Sequence, residues 1–114
     1  MPVPVSRDYR MGNRYANAAE SRHMNRVAEI GQCVMAFAFG FGESCVANNG
    51  PIELHHIREG QGAAQRAAHT LVVPLCWGHH QGSQGIHGLG RKGFYTRYQL
   101  DELDLLAATL ERIA

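Results

Sequence analysis

Two short stretches hold most of this chain's metal-ligating side chains. ELHHIREGQG, residues 53–62, carries His55 and His56, and LVVPLCWGHHQGSQGIHG, residues 71–88, carries Cys76, His79, His80 and His87. Five of the seven histidines thus fall in two segments, twice as adjacent pairs, with a cysteine just before the second pair. A chain of 114 residues can bury only a modest core, and domains of that size often rely on a metal as a staple. The fold has to bring these imidazoles and thiols together.

Cys76-Trp77-Gly78-His79 is a C-x-x-H element whose thiolate and imidazole can grip one zinc ion from a tight turn. Two more ligands must come from elsewhere, and Cys33 and Cys45 are the other cysteines. Together the four would close a tetrahedral Cys3His site; the alternative is that Cys33 and Cys45 are small buried apolar residues. An odd cysteine count argues against a closed disulfide framework and for reduced thiols in a cytoplasmic setting. Adjacency matters as well. Neighbouring side chains on a helix diverge by roughly 100°, so if His79 faces the zinc knuckle, His80 points elsewhere. Neighbours on a strand point to opposite faces, so His55 and His56 converge on one substrate only across a bend or bulge, which Gly60 and Gly62 would ease.

The remaining chain frames these segments. Residues 1–17, with two prolines and several arginines, read as a flexible basic arm, and residues 18–114 as one domain. A helix is expected over 18–31, with Met24, Val27 and Ala28 at helical spacing and Gly31 ending it. Residues 33–42 are ambiguous between a buried strand and a turn-rich segment. NNGP reads as a turn, IELHHI and LVVPL as strands, and 58–68 as a loop. Six glycines between Trp77 and Gly93 exclude one straight helix, so a short helix should start near His79 and break before His87. A terminal helix follows, with Asp101 as N-cap and Leu103, Leu106, Ala107, Leu110 and Ile113 as its apolar stripe.

The net charge of +1 does not by itself indicate a polyanion partner. Its distribution suits one, with ordinary solvated surface as the alternative: five arginines lie in residues 1–26, while the tail is acidic through Asp101, Glu102, Asp104 and Glu111. VMAFAFGFG is too short to span a bilayer, and the first ten residues lack the apolar stretch of a signal peptide.

His55-His56 at a strand end, followed by a loop and Leu75-Cys76-x-x-His79-His80, resembles the ββα-metal core of HNH endonucleases. The segments SRHMNRVAEIGQCV, ELHHIREGQG, LVVPLCWGHHQGSQGIHG and GFYTRYQLDELDLL resemble a phage and prophage subgroup, the RecA-dependent nucleases of the recombination-enhancement type. The resemblance implies an α+β fold: a small zinc-stabilised ββα-metal core with an N-terminal helix and a C-terminal amphipathic helix. It implies a metal-dependent DNA endonuclease in a bacterial host's cytoplasm, acting with a RecA-type recombinase filament. His56 would be the general base, and His55, His80 and His87 would hold a catalytic divalent ion. Magnesium is expected, with manganese or zinc as alternatives. Cys33, Cys45, Cys76 and His79 would hold a structural zinc ion. Arg58, Arg66, Arg91 and Lys92 are the candidate phosphate contacts. Trp77 is expected to pack beside the zinc turn, with base stacking as the alternative.

Two departures from the family pattern bear on function. Ala36 stands where the second cysteine of a C-x-x-C is expected, and no asparagine lies between residues 51 and 114 to orient the base; His69 or Thr70 is nearest that place. A non-catalytic zinc-stabilised nucleic-acid-binding module is therefore the alternative reading, and a small metal carrier a third.

Overall fold

The computed structural model describes residues 10–11, 14–45, 51–57 and 70–114. Asn48–Gly50 of the expected turn and the expected loop 58–68, with Arg58, Arg66 and His69, lie outside the described residues. Of the expected basic arm, Arg10–Met11 (β1) and Arg14–Tyr15 (β2) pair as a two-residue antiparallel ladder.

Helix α1, Ala18–Ala28, starts on a capping box in which the Asn17 side chain accepts from the Glu20 amide at 2.9 Å and Glu20 accepts from the Asn17 amide at 3.0 Å. Gly31, at φ +68°, turns the chain after it. The ambiguous segment resolves into a one-turn helix α2, Val34–Phe37, and a 3-10 turn, Gly42–Cys45. Strand β3, Glu53–His56, pairs antiparallel with β4, Val72–Leu75, in the register Glu53↔Leu75 through His56↔Val72. Pro74 is tolerated because each strand of a two-stranded sheet has a free edge. Helix α3, Trp77–His80, follows β4 directly, then α4, Ile86–Tyr98, and α5, Glu102–Ile113.

The β3–β4 pair divides the core. On one face Val72 and Leu54 pack with Met24 and Val27 of α1 and with Ile113. On the other, Val73 and Leu75 join Val34, Met35, Ile86, Phe94, Leu105 and Leu106. The Arg26 guanidinium donates to the Ile113 carbonyl at 2.5 Å, tying the last turn of α5 back to α1.

The terminal helix begins on the expected cap, Asp101, which accepts from the Asp104 amide at 2.9 Å. Its buried face is rotated from the expected one. Glu102, Leu105, Leu106 and Thr109 are buried, whereas Leu103, Ala107 and Leu110 are exposed. Both sets have helical spacing in a leucine-rich segment, so periodicity alone could not choose between them.

His87 lies in the first turn of α4 rather than in a loop. The expected break before His87 is present, since α3 ends at His80 and α4 starts at Ile86, and a second one follows at Gly90, whose φ of +76° kinks α4. The α3–α4 corner is close-packed backbone: a Cβ on Gly88 would sit 2.1 Å from the Gly82 carbonyl oxygen, and one on Gly85 2.6 Å from that of Gly78. Only hydrogen fits at these positions, and the corner holds His79, His80 and His87 in a fixed relation. Gly88→Ala should therefore destabilise the domain by about 3 kcal/mol, read as a lowered urea midpoint with an unchanged slope.

Candidate metal centres

The first cluster gathers residues from three places in the chain. Cys33 caps α2, Cys45 ends the 3-10 turn, and Cys76 and His79 flank the first turn of α3. Their ligand atoms all lie within 4.8 Å of one another. The His79 Nδ1 atom is 3.2 Å from Cys76 Sγ, 3.4 Å from Cys45 Sγ and 3.6 Å from Cys33 Sγ. A tetrahedral zinc ion with ordinary bond lengths separates a nitrogen from a sulfur ligand by about 3.6 Å, so the donor set fits one ion. Cys45, and not Ala36, lies with Cys33, Cys76 and His79 in this group. Ala36 packs beside the turn carrying Cys45, where a Cβ on Gly42 would make ordinary contact with the Ala36 Cβ at 3.5 Å.

The surroundings of His79 favour ligation. Ser44 Oγ lies 2.9 Å from His79 Nε2, and the Ser44 hydroxyl donates to the Phe41 carbonyl at 2.9 Å. Ser44 must then accept the Nε2 proton, which leaves the Nδ1 lone pair pointing among the sulfurs. The His79 amide donates to Cys76 Sγ at 3.4 Å. Burial pushes the Cys33 and Cys45 thiols up, and the mutual repulsion of neighbouring thiolates adds to the shift. Burial pushes His79 down, keeping it neutral. A divalent cation at the centre offsets that repulsion, and the closed set of four donors can hold a metal such as zinc.

The second cluster is His55 from β3, His80 from α3 and His87 from α4, again with ligand atoms within 4.8 Å of one another. His80 Nε2 and His87 Nε2 are 3.1 Å apart, between the ligand spacings of about 2.9 Å and 3.4 Å that octahedral and tetrahedral ions impose at 2.0–2.1 Å bond lengths. Two carboxylates back the rings. Glu53 Oε1 accepts from His80 Nδ1 at 2.6 Å, and Glu102 Oε2 lies 2.5 Å from His55 Nε2. Burial lowers the His80 pKa against the opposing pull of Glu53, and burial lowers that of His87. His55 and His80 are buried, but His87 is exposed, and a cleft of about 260 Å³ lined by His55, His87, Gly90, Arg91 and Glu102 opens beside them. This centre has three protein donors and an open side, as sites that admit a substrate do.

The remaining expected site residues are placed as follows. His56 is buried and does not join the three-histidine cluster. The β3–β4 register runs without interruption through His56↔Val72, so the two neighbouring histidines point to opposite faces of the strand. His56 shares a face with its partner Val72, toward α1, and His55 faces α3. Arg91 and Lys92 are exposed on α4 just past the kink, and Arg91 Nη1 is 3.8 Å from Glu102 Oε1. Trp77 is 53% exposed, not packed in the core: as the first residue of α3 it projects outward while His79 and His80 turn inward. Thr70 is exposed.

Glu53, Glu102 and Ser44 were not foreseen. Glu53 had a legible signal, since it lies two residues before His55 and so on the same strand face. Glu102 and Ser44 had none, because their roles depend on tertiary approach.

The family model described as recombination enhancement, RecA-dependent nuclease matches residues 16–114, a span that includes both clusters. Comparison with the curated proteins and with the solved structures found no match. No helix among the described residues is long and apolar enough to cross a membrane. With the match covering 16–114 of the 114 residues and both groups of candidate metal-binding side chains, the chain belongs to the family of recombination-enhancement, RecA-dependent nucleases.

Proposed function

We propose that this chain is a metal-dependent DNA endonuclease of the HNH type, of phage or prophage origin, acting with a RecA-type recombinase filament in the cytoplasm of a bacterial host. The observation that carries the reading is the open centre of His55, His80 and His87, backed by Glu53 and Glu102 and built on the same short helix as the closed Cys3His cluster. The closed set suits a structural zinc ion that pins α2, the 3-10 turn and α3 together. The open set suits a working divalent ion. Bound there, such an ion would offset charge on the scissile phosphate and on the departing 3′ oxygen. Magnesium is the expected ion, although three imidazoles favour manganese or zinc in affinity.

His56 is the proposed general base, taking the proton of the attacking water. In-line displacement puts the attacking and leaving oxygens on opposite sides of phosphorus. Base and ion are then required on opposite flanks, and the divergence of His56 from His55 is compatible with that. Glu53 holds His80 with its Nε2 lone pair free. Arg91 and Lys92 sit beside the cleft as candidate phosphate contacts, and Arg58 and Arg66 are proposed to extend that grip. Such contacts are salt-dependent and indifferent to base sequence.

Elemental analysis of the purified protein should find one tightly held zinc per chain. Cys76→Ala should lose it and lower stability by roughly 3–5 kcal/mol, seen as a fall in melting temperature; an unchanged melting temperature would show that the cluster is no staple. In a plasmid-nicking assay with added magnesium, manganese or zinc, His56→Ala should abolish cleavage while leaving metal content and DNA binding intact. Cleavage by this variant at the wild-type rate would remove His56 as the base. Wild-type protein that binds DNA and both ions but never nicks it would point to the non-catalytic binding module instead.

A further inference from the structure

The buried face of α5 contains one residue out of place. Glu102, Leu105, Leu106 and Thr109 line that face, and an apolar residue at 102 would complete it. A carboxylate that is 2% exposed is costly to bury without a partner. Its partner is His55: Oε2 lies 2.5 Å from His55 Nε2, while Oε1 faces Arg91 Nη1 at 3.8 Å across the mouth of the cleft. The backbone before it is fixed, because Asp101 and Asp104 exchange capping bonds of 2.9 Å around the start of the helix. The helix start that carries Glu102 is thus fixed independently of the histidine.

We propose that Glu102 is a positioning residue for the three-histidine centre: its carboxylate accepts the Nε2 proton of His55 and leaves Nδ1 as the ring nitrogen that ligates the divalent ion. The inference rests on the proposed reading of that centre as the working metal site. An imidazole whose other nitrogen is bonded to a carboxylate is oriented and made more basic, and loss of such a partner costs about 10–100-fold in metal affinity. His80 is supported in the same manner by Glu53, but from the neighbouring strand. Glu102 differs in linking the centre to the terminal helix, so α5 is part of the metal site although none of its residues belongs to either cluster.

The test uses the full chain holding its tightly bound zinc, with manganese added and its binding followed by electron paramagnetic resonance. Wild type should take up one manganese ion. Glu102→Gln should bind it 10–100-fold more weakly, with nicking recovering toward the wild-type rate as manganese is raised. Glu102→Asp should fall between the two. Equal affinity in Glu102→Gln and wild type would overturn the positioning role while leaving the metal-nuclease reading intact, whereas wild type that binds no manganese would remove both. A measurement on unmutated protein guards against a misfolded variant. Nitrogen-15 spectra of the histidine side chains, before manganese is added, should show His55 protonated on Nε2, and protonation on Nδ1 would overturn the inference.

Discussion

Everything in this domain turns on the angular step of one short helix. Trp77–His80 is barely a turn long, yet consecutive residues of it serve two different clusters. His79 turns in among three sulfurs, and His80 turns toward His55 and His87. The divergence of about 100° between neighbouring helical side chains makes this possible without any special backbone. It also makes the two centres mechanically one object: any displacement of α3 moves a member of each. The Cys3His set reaches from that helix back to Cys33 and Cys45, far earlier in the chain.

The chemistry of the two clusters differs because their exposure and donors differ. Three thiols, two of them buried and Cys45 half-buried, surround one imidazole in a closed set that could hold a metal. Imidazoles with one exposed member, backed by carboxylates and facing a cleft with Arg91, leave space for an anion. The hydrogen-bond partners decide which ring nitrogen is available: Ser44 leaves Nδ1 of His79, and Glu53 leaves Nε2 of His80. The adjacent His79 and His80 thereby present opposite ring nitrogens to their two clusters.

Much of this was legible in the residues. The grouping of Cys76 with His79 was readable because Cys and His in a C-x-x-H turn have few other uses, and the split of His79 from His80 between two clusters follows from helical geometry. Strands β3 and β4 and the Asp101 cap were readable from local chemistry. The buried face of α5 was not, because leucines occupy two overlapping stripes and only packing against Val34, Phe94 and β4 selects one. Trp77 was misplaced because its size suggests burial, whereas its position at the start of α3 directs it outward. Glu102 was invisible because nothing near it in sequence announces a histidine 47 residues away.

Gly90 carries one last consequence. Its left-handed backbone divides α4 into a first turn bearing His87 and a longer second part bearing Arg91 and Lys92, and no atom lies within 4 Å of where its side chain would be. The angle between the His87 imidazole and the two cations is thereby set by the backbone of one residue, whose positive φ any L side chain would strain.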